Sequence, residues 1–155
     1  MKYTIRPARP TDMDSIYLMG IDVWGDDSSE ERYLNECRTS TKYQKGQWYC
    51  LECNSCLISS LVVYRNHFRI QERYAGIGSI STEPHHRGNG FASRLINNRI
   101  ENLTSEGCAG VYLHSETDSR IYERIGFRKL QSSEDSTLMF LGIHDSEQAV
   151  LPAYF

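Results

Sequence analysis

The stretch Gly78-Ser79-Ile80-Ser81-Thr82-Glu83-Pro84-His85-His86-Arg87-Gly88-Asn89-Gly90-Phe91-Ala92-Ser93-Arg94-Leu95-Ile96 reads, in immediate succession, as a strand, a glycine-containing turn and the start of a helix. A helix that begins at such a turn leaves its first backbone N–H groups unpaired, with the positive end of the macrodipole behind them. That arrangement binds phosphate. Gly88 and Gly90 remove side chains that would hold a diphosphate away from the backbone, and Ala92 and Ser93 keep the first helical turn small. Two other phosphate loops are excluded by spacing: no third glycine follows Gly90 at the dinucleotide position, and no Gly-Lys-Ser/Thr is present.

Working outward, Tyr74 to Thr82 forms the strand that feeds this turn, and Leu95, Ile96, Ile100 and Leu103 recur on one face of the helix that leaves it. Upstream, Tyr3-Thr4-Ile5-Arg6-Pro7 alternates as a short strand. Thr11 with Asp14 makes an acidic variant of a capping box, followed by Met13, Ile16, Tyr17 and Met19 at helical spacing. Gly25 to Ser29 breaks the chain, and Ser28 or Ser29 caps a second helix through Glu30, Tyr33, Leu34 and Cys37. Gln47–Cys53 and Leu57–Tyr64 are aromatic and β-branched runs joined at Asn54-Ser55, which predicts a hairpin.

Downstream, Gly107 to Gly110 closes the long helix, and Val111-Tyr112-Leu113-His114 is a short buried strand. Ser119 to Ile125 is helical and stops at Gly126, and two strands follow, Phe127–Leu130 and Thr137–Leu141. The order strand, two helices, three strands, helix, strand, helix, strand, strand predicts an α/β fold, a mixed sheet with helices on both faces.

Arg87-Gly88-Asn89-Gly90-Phe91-Ala92 resembles the acetyl-CoA signature of the Gcn5-related N-acetyltransferase (GNAT) superfamily: Arg or Gln, two residues, Gly, one residue, then Gly or Ala. Ile121-Tyr122-Glu123-Arg124-Ile125-Gly126-Phe127 is similar to a second family segment some thirty residues on. The element order matches that fold over nearly the whole chain, most strongly over residues 75 to 130. The resemblance implies one N-acetyltransferase domain over 1–155, with a core at 3–142 and a tail at 143–155. It also implies acetyl-CoA as co-substrate and direct transfer of acetyl to a primary amine.

The same resemblance gives Tyr122 the role of general acid near the thioester sulfur, where a phenol with a pKa of about 10 stays protonated at neutral pH and can protonate a leaving thiolate. It gives Ile80, Ser81 and Thr82 backbone contacts to the pantetheine arm, as if the cofactor were an added strand. Cofactor-binding residues are then Ile80, Ser81, Thr82, Arg87, Gly88, Asn89, Gly90, Phe91, Ala92 and Ser93, with the Arg87 guanidinium near a phosphate. Many family members carry a Glu as general base where this chain has Gly76. Glu83, Glu72 or a water relay would substitute, and Glu83 stands as the catalytic candidate.

The acceptor site is expected at the break after the first helix, where Asp26 and Asp27 would attract an amine and Trp24 or Tyr33 would cover its aliphatic part. Trp48-Tyr49 with Ser59–Tyr64 looks like a subgroup that includes fungal lysine acetyltransferase-like proteins, which points to a small amine such as lysine or a polyamine. The alternative is a catalytically idle domain that binds acyl-CoA as a regulatory ligand, motivated by Gly76.

Length and composition are consistent with one soluble domain. A chain of 155 residues buries about 68–70% of its unfolded surface. A net charge of −3 argues against general nucleic-acid binding, which wants a basic face. No apolar run approaches the roughly 18 residues of a membrane span, and the start lacks a signal peptide's apolar core, so a cytoplasmic protein is expected. Five cysteines fit a reducing compartment. Cys50, Cys53 and Cys56 form Cys-x-x-Cys-x-x-Cys but lack a fourth ligand nearby, so no metal is expected. The oligomeric state stays open, with a homodimer among the options.

Overall fold

The computed structural model describes residues 2–143 and 150–155; of the expected tail, His144 to Ala149 lie outside the described residues. The elements in chain order are β1 (Tyr3–Pro7), α1 (Met13–Leu18), α2 (Ile21–Trp24), α3 (Glu30–Arg38), α4 (Thr41–Gln44), β2 (Gln47–Cys53) and β3 (Cys56–Tyr64). There follow β4 (Tyr74–Thr82), α5 (Phe91–Ser105), β5 (Gly110–Ser115), α6 (Arg120–Ile125), β6 (Arg128–Ser132) and β7 (Thr137–Gly142). They form a seven-stranded mixed sheet of order β1-β2-β3-β4-β5-β7-β6, flanked by helices. No helix among the described residues is long and apolar enough to cross a membrane.

The chain divides into two compact units, residues 1–62 with 79–95, and 63–78 with 96–155, so it passes between them inside β3, β4 and α5. In the first unit, β1 and β2 pair antiparallel from Tyr3↔Cys53 to Pro7↔Tyr49. The β2–β3 hairpin turns on Asn54 (φ 51°) and Ser55 (φ 65°). Two left-handed residues give the turn the twist that flanking strands need. Ile16, Leu34, Cys37, Leu51, Leu61 and Val62 are buried in this unit.

The first helix differs from expectation. Rather than one helix capped by Thr11 and Asp14, a 3-10 turn at Pro10–Asp12 precedes two short helices broken at Met19-Gly20. Asp12 holds that entry: it accepts from the Arg9 amide at 2.7 Å and from Arg6 at 2.7 and 3.2 Å. Asp14 instead pairs with Arg38 of α3 at 2.6 Å. At the next helix Ser29 is the cap, accepting from the Arg32 amide.

In the second unit the first residues of β4 pair parallel with β5, from Tyr74↔Gly110 to Ile77↔Leu113. Strand β5 pairs antiparallel with β7 from Gly110↔Gly142 to Ser115↔Thr137. Ala75, Ile77, Val111, Leu113 and Met139 are fully buried here. Gly126, at φ 125°, ends α6 in a conformation that favours glycine.

Candidate active site

Between β4 and α5 the chain makes a 3-10 turn at Pro84–His86 and then the glycine turn. Gly88 and Gly90 sit at φ 79° and 80°, so both positions demand glycine on conformation alone. A Cβ at either would meet no heavy atom within 4 Å. The backbone at both positions therefore lies bare to open space. Asn89 fixes the turn from inside, its side-chain amide donating to the carbonyls of His86 (3.1 Å) and Arg87 (3.2 Å). The Arg94 amide donates to the Gly90 carbonyl at 3.0 Å, so the amides of Phe91, Ala92 and Ser93 precede the first internal bond of α5. This set of groups fits a diphosphate.

Arg87 binds within the protein. Its guanidinium donates to both Asp22 oxygens (2.6 and 2.9 Å), to the Thr82 carbonyl (3.0 Å) and to the Met19 carbonyl (3.1 Å). Arginine holds the Asp22 carboxyl below the usual range. Glu83 accepts from the His85 amide at 2.9 Å and caps the 3-10 turn. Glu72 is exposed.

Strand β4 carries a kink. Ser79 has φ 45°, in the left-handed region that a non-glycine residue in a strand seldom adopts. Such a residue re-aims the strand, at a strain on the order of 1–3 kcal/mol. Beyond it, the Ser81 carbonyl accepts from Ser59 Oγ (2.8 Å), and the Ser81 hydroxyl lies 3.2 Å from that of Ser60. The Thr82 hydroxyl is 3.1 Å from Ser59 Oγ. Ser59 and Ser60, fully buried, thus brace the segment Ile80–Thr82 from β3.

Ser79 and Ser81 open onto a small cleft lined by Ile16 and five aromatic side chains, Tyr17, Trp24, Tyr33, Tyr43 and Trp48. Tyr17 and Tyr43 stack at 5.8 Å, and Trp48 meets them edge-on at 5.8 and 5.2 Å. Trp48 Nε1 donates to the Tyr43 carbonyl at 3.1 Å. Burial pushes the Tyr17 and Tyr33 hydroxyls above the ordinary phenol pKa. Gly20 lacks a side chain where the Trp24 ring lies against the backbone.

Trp24 and Tyr33, named from the sequence, therefore line this pocket. Asp26 and Asp27 are exposed at left-handed φ of 47° and 58°, outside the lining. Tyr17 and Trp48, read from the sequence as a helix residue and as part of a subgroup resemblance, and Tyr43, which the sequence did not single out, also line it, because three elements with no shared spacing bring them together.

In the second unit, Tyr122 is half-buried on α6, and burial, with a smaller contribution from Glu116, raises its pKa. At Gly76 a Cβ would lie 2.6 Å from the Phe155 ring and 2.8 Å from Ile70. The space that a side chain would need on β4 is filled by the tail. Phe155 also packs on Tyr64 and His114, and His114 Nε2 lies 3.4 Å from the Ala153 carbonyl. Tyr154 donates to Glu116.

Cys50 and Cys53 are buried and Cys56 is exposed, and burial pushes the Cys50 thiol up to about 11. No group of three or more His, Cys, Asp or Glu among the described residues is arranged to hold a metal.

A family model described as an acetyltransferase (GNAT) domain matches residues 4–130. No curated protein matches the chain. Among solved structures, a GNAT acetyltransferase from Brucella melitensis in complex with acetyl-CoA aligns with TM-score 0.73 at 18% identity, over 99% of this chain and 96% of that one. The ribosomal-protein-S18-alanine N-acetyltransferase from Escherichia coli aligns with TM-score 0.70 at 16% identity, over 97% and 99%. A spermidine N-acetyltransferase chimera from Vibrio cholerae and hSSAT gives 0.66 at 18%, over 92% and 96%.

Proposed function

Because the chain belongs to the GNAT acetyltransferase family, we propose that it transfers the acetyl group of acetyl-CoA to the primary amine of a small molecule by direct attack. The observation that carries this reading is the uncovered backbone at Gly88 and Gly90 immediately ahead of three helix-start amides. Those amides, with the macrodipole of the 15-residue α5 behind them, suit a diphosphate and need no basic side chain. Main-chain groups of Ile80, Ser81 and Thr82 are the proposed amide contacts, on a segment that Ser59 and Arg87 hold by donating to the Ser81 and Thr82 carbonyls.

Acetyl-CoA, when bound, supplies an activated acetyl carbonyl, so that a C–N bond to the amine forms, the C–S bond breaks and coenzyme A departs as the thiol. Tyr122 is the proposed proton donor. Its raised pKa keeps the phenol protonated across neutral pH, as a general acid toward a thiolate requires. The amine's proton goes to water, because Gly76 carries no carboxylate and Glu83 serves the 3-10 turn.

Acceptors named for proteins of this fold include a ribosomal-protein alanine and spermidine. The acceptor pocket at Trp24 and Tyr33 is small, which favours a small molecule over a folded protein. Calorimetry with coenzyme A and thiol release across a panel of amines tests the proposal. Absence of coenzyme A binding would overturn it. Saturable binding with no thiol release would favour the second reading, an idle acyl-CoA-binding domain, which the tail-filled site at Gly76 motivates.

A further inference from the structure

We propose that Ser59 and Ser60 are positioning residues for the coenzyme: their hydroxyls pin the register of β4 beyond its kink and so aim the main chain of Ile80–Thr82 at the pantetheine arm. This rests on the acetyltransferase reading above, and on contacts that step regularly along two strands. The Glu83 amide donates to the Ile58 carbonyl at 2.8 Å, the Thr82 hydroxyl lies 3.1 Å from Ser59 Oγ, and the Ser81 hydroxyl lies 3.2 Å from Ser60 Oγ. As β3 advances from Ile58 to Ser60, the facing chain steps back from Glu83 to Ser81, which is antiparallel register.

Consecutive strand residues point to opposite faces, so the Ser59–Thr82 pair grips the segment from one face and the Ser60–Ser81 pair from the other. Ser59 adds a main-chain contact, donating to the Ser81 carbonyl at 2.8 Å. A carbonyl only accepts and a serine has a single hydroxyl proton, so Thr82 is the donor in its contact with Ser59. Ser60 Oγ also reaches Met19 Sδ at 3.6 Å. Both serines are fully buried, between the buried Ile58 and Leu61 of β3.

These pins act just beyond a break in the strand. At Ser79 the φ of 45° interrupts the regular strand, so pairing upstream does not by itself fix pairing downstream. A slip by one residue would turn the main-chain groups of Ile80–Thr82 that face away from β3 back toward it. Apolar side chains at these four positions could match the stability of the hydroxyl pairs, since exchanging both partners of a buried hydrogen bond for apolar groups is nearly neutral. They would not match the alignment, because a hydrogen bond is confined in length and angle whereas apolar contact is non-directional.

The test compares two ligands by calorimetry on the intact protein: coenzyme A, and 3′-phospho-ADP, which keeps the nucleotide and diphosphate of coenzyme A and lacks the pantetheine arm. The variants are Ser59→Ala, Ser60→Ala and the two combined, with urea unfolding to establish that each is folded. Coenzyme A affinity should fall about fivefold in each single variant, the worth of a typical hydrogen bond, and further in the double variant. The truncated nucleotide should lose about twofold at most, because it meets the glycine turn, whose internal contacts at Asn89 involve neither serine. A general loosening of the fold would weaken both ligands alike. Equal losses for the two ligands, or unchanged coenzyme A affinity in the folded variants, overturns the inference. If the double variant does not fold, the single variants decide by the same ratio. A wild type that binds the two ligands equally well also overturns the inference, since the arm is then not read. Wild-type protein that binds neither overturns the acetyltransferase reading itself.

Discussion

The Arg87 guanidinium grips the Asp22 carboxylate through two hydrogen bonds of 2.6 and 2.9 Å, tying the residue ahead of the glycine turn to the short helix α2 that carries Trp24. The same side chain holds the Thr82 and Met19 carbonyls. An arginine that satisfies these partners braces the turn. It links the end of β4, α2 and the turn, and only a planar fork can reach all of them.

Substituting Arg87 separates brace from charge. Arg87→Lys keeps the positive charge and loses the fork, so it should weaken coenzyme A binding as much as Arg87→Ala does, about three- to tenfold for a partly exposed charged network. Calorimetric affinities for the two variants check this. A lysine variant with wild-type affinity would show that charge alone matters at this position.

Gly88→Ala and Gly90→Ala should each destabilise the protein by about 1 kcal/mol, because φ near +80° disfavours an L side chain although the space around it is open. Coenzyme A affinity should fall further than stability, by roughly tenfold or more, because the methyl would intrude on the bare backbone amides proposed to bind its diphosphate. Urea unfolding with and without coenzyme A separates the two effects.

Tyr122→Phe should leave coenzyme A affinity intact and lower kcat by about 10²-fold or more, the usual contribution of a positioned acid. The raised pKa means the phenol keeps its proton throughout the neutral range. In the wild type, the loss of rate assigned to this group should therefore begin only above pH about 10. Unchanged kcat in the variant would remove Tyr122 from the chemistry.

Gly76→Ala should destabilise by about 1–3 kcal/mol, since the added Cβ overlaps the Phe155 ring and Ile70. Adding Phe155→Ala should recover part of that loss by vacating the ring's position. A double-mutant cycle read by urea unfolding checks the coupling. Additive losses would mean that Phe155 does not occupy this site in solution.

Stability should fall on the alkaline side. Burial raises the Cys50 thiol to about 11 and Tyr112 to about 12. Because the folded values lie above the unfolded ones, of 9.0 and 10.0, the associated stability is complete below pH 9. It is lost as pH climbs through 11 and 12. Melting temperatures measured from pH 7 to 11 should be level up to about 8.5 and then decline.

Much of the fold was legible because its signals are local. Tyr74–Thr82 was read as a strand to the residue, Ser29 proved to be a cap, Asn54-Ser55 a hairpin turn, and Gly126 the stop of α6. The first helix was misread because Asp12, not Thr11, closes the capping contacts, and Arg6 of β1 fixes that choice from across a turn. Nothing in the sequence near Ser79 announces its left-handed φ.

By itself, the sequence determined where the backbone bends and which loop exposes its amides, since glycine conformation, helix caps and hydrophobic period act within a few residues of chain. Tertiary structure decided what the side chains do there. Arg87 turned to Asp22, Phe155 filled the space at Gly76, and Tyr17, Tyr43 and Trp48 converged from separate elements to make one pocket. Those contacts join residues tens of positions apart. They are selected by packing and by the matching of buried polar groups, quantities that no short window of sequence contains.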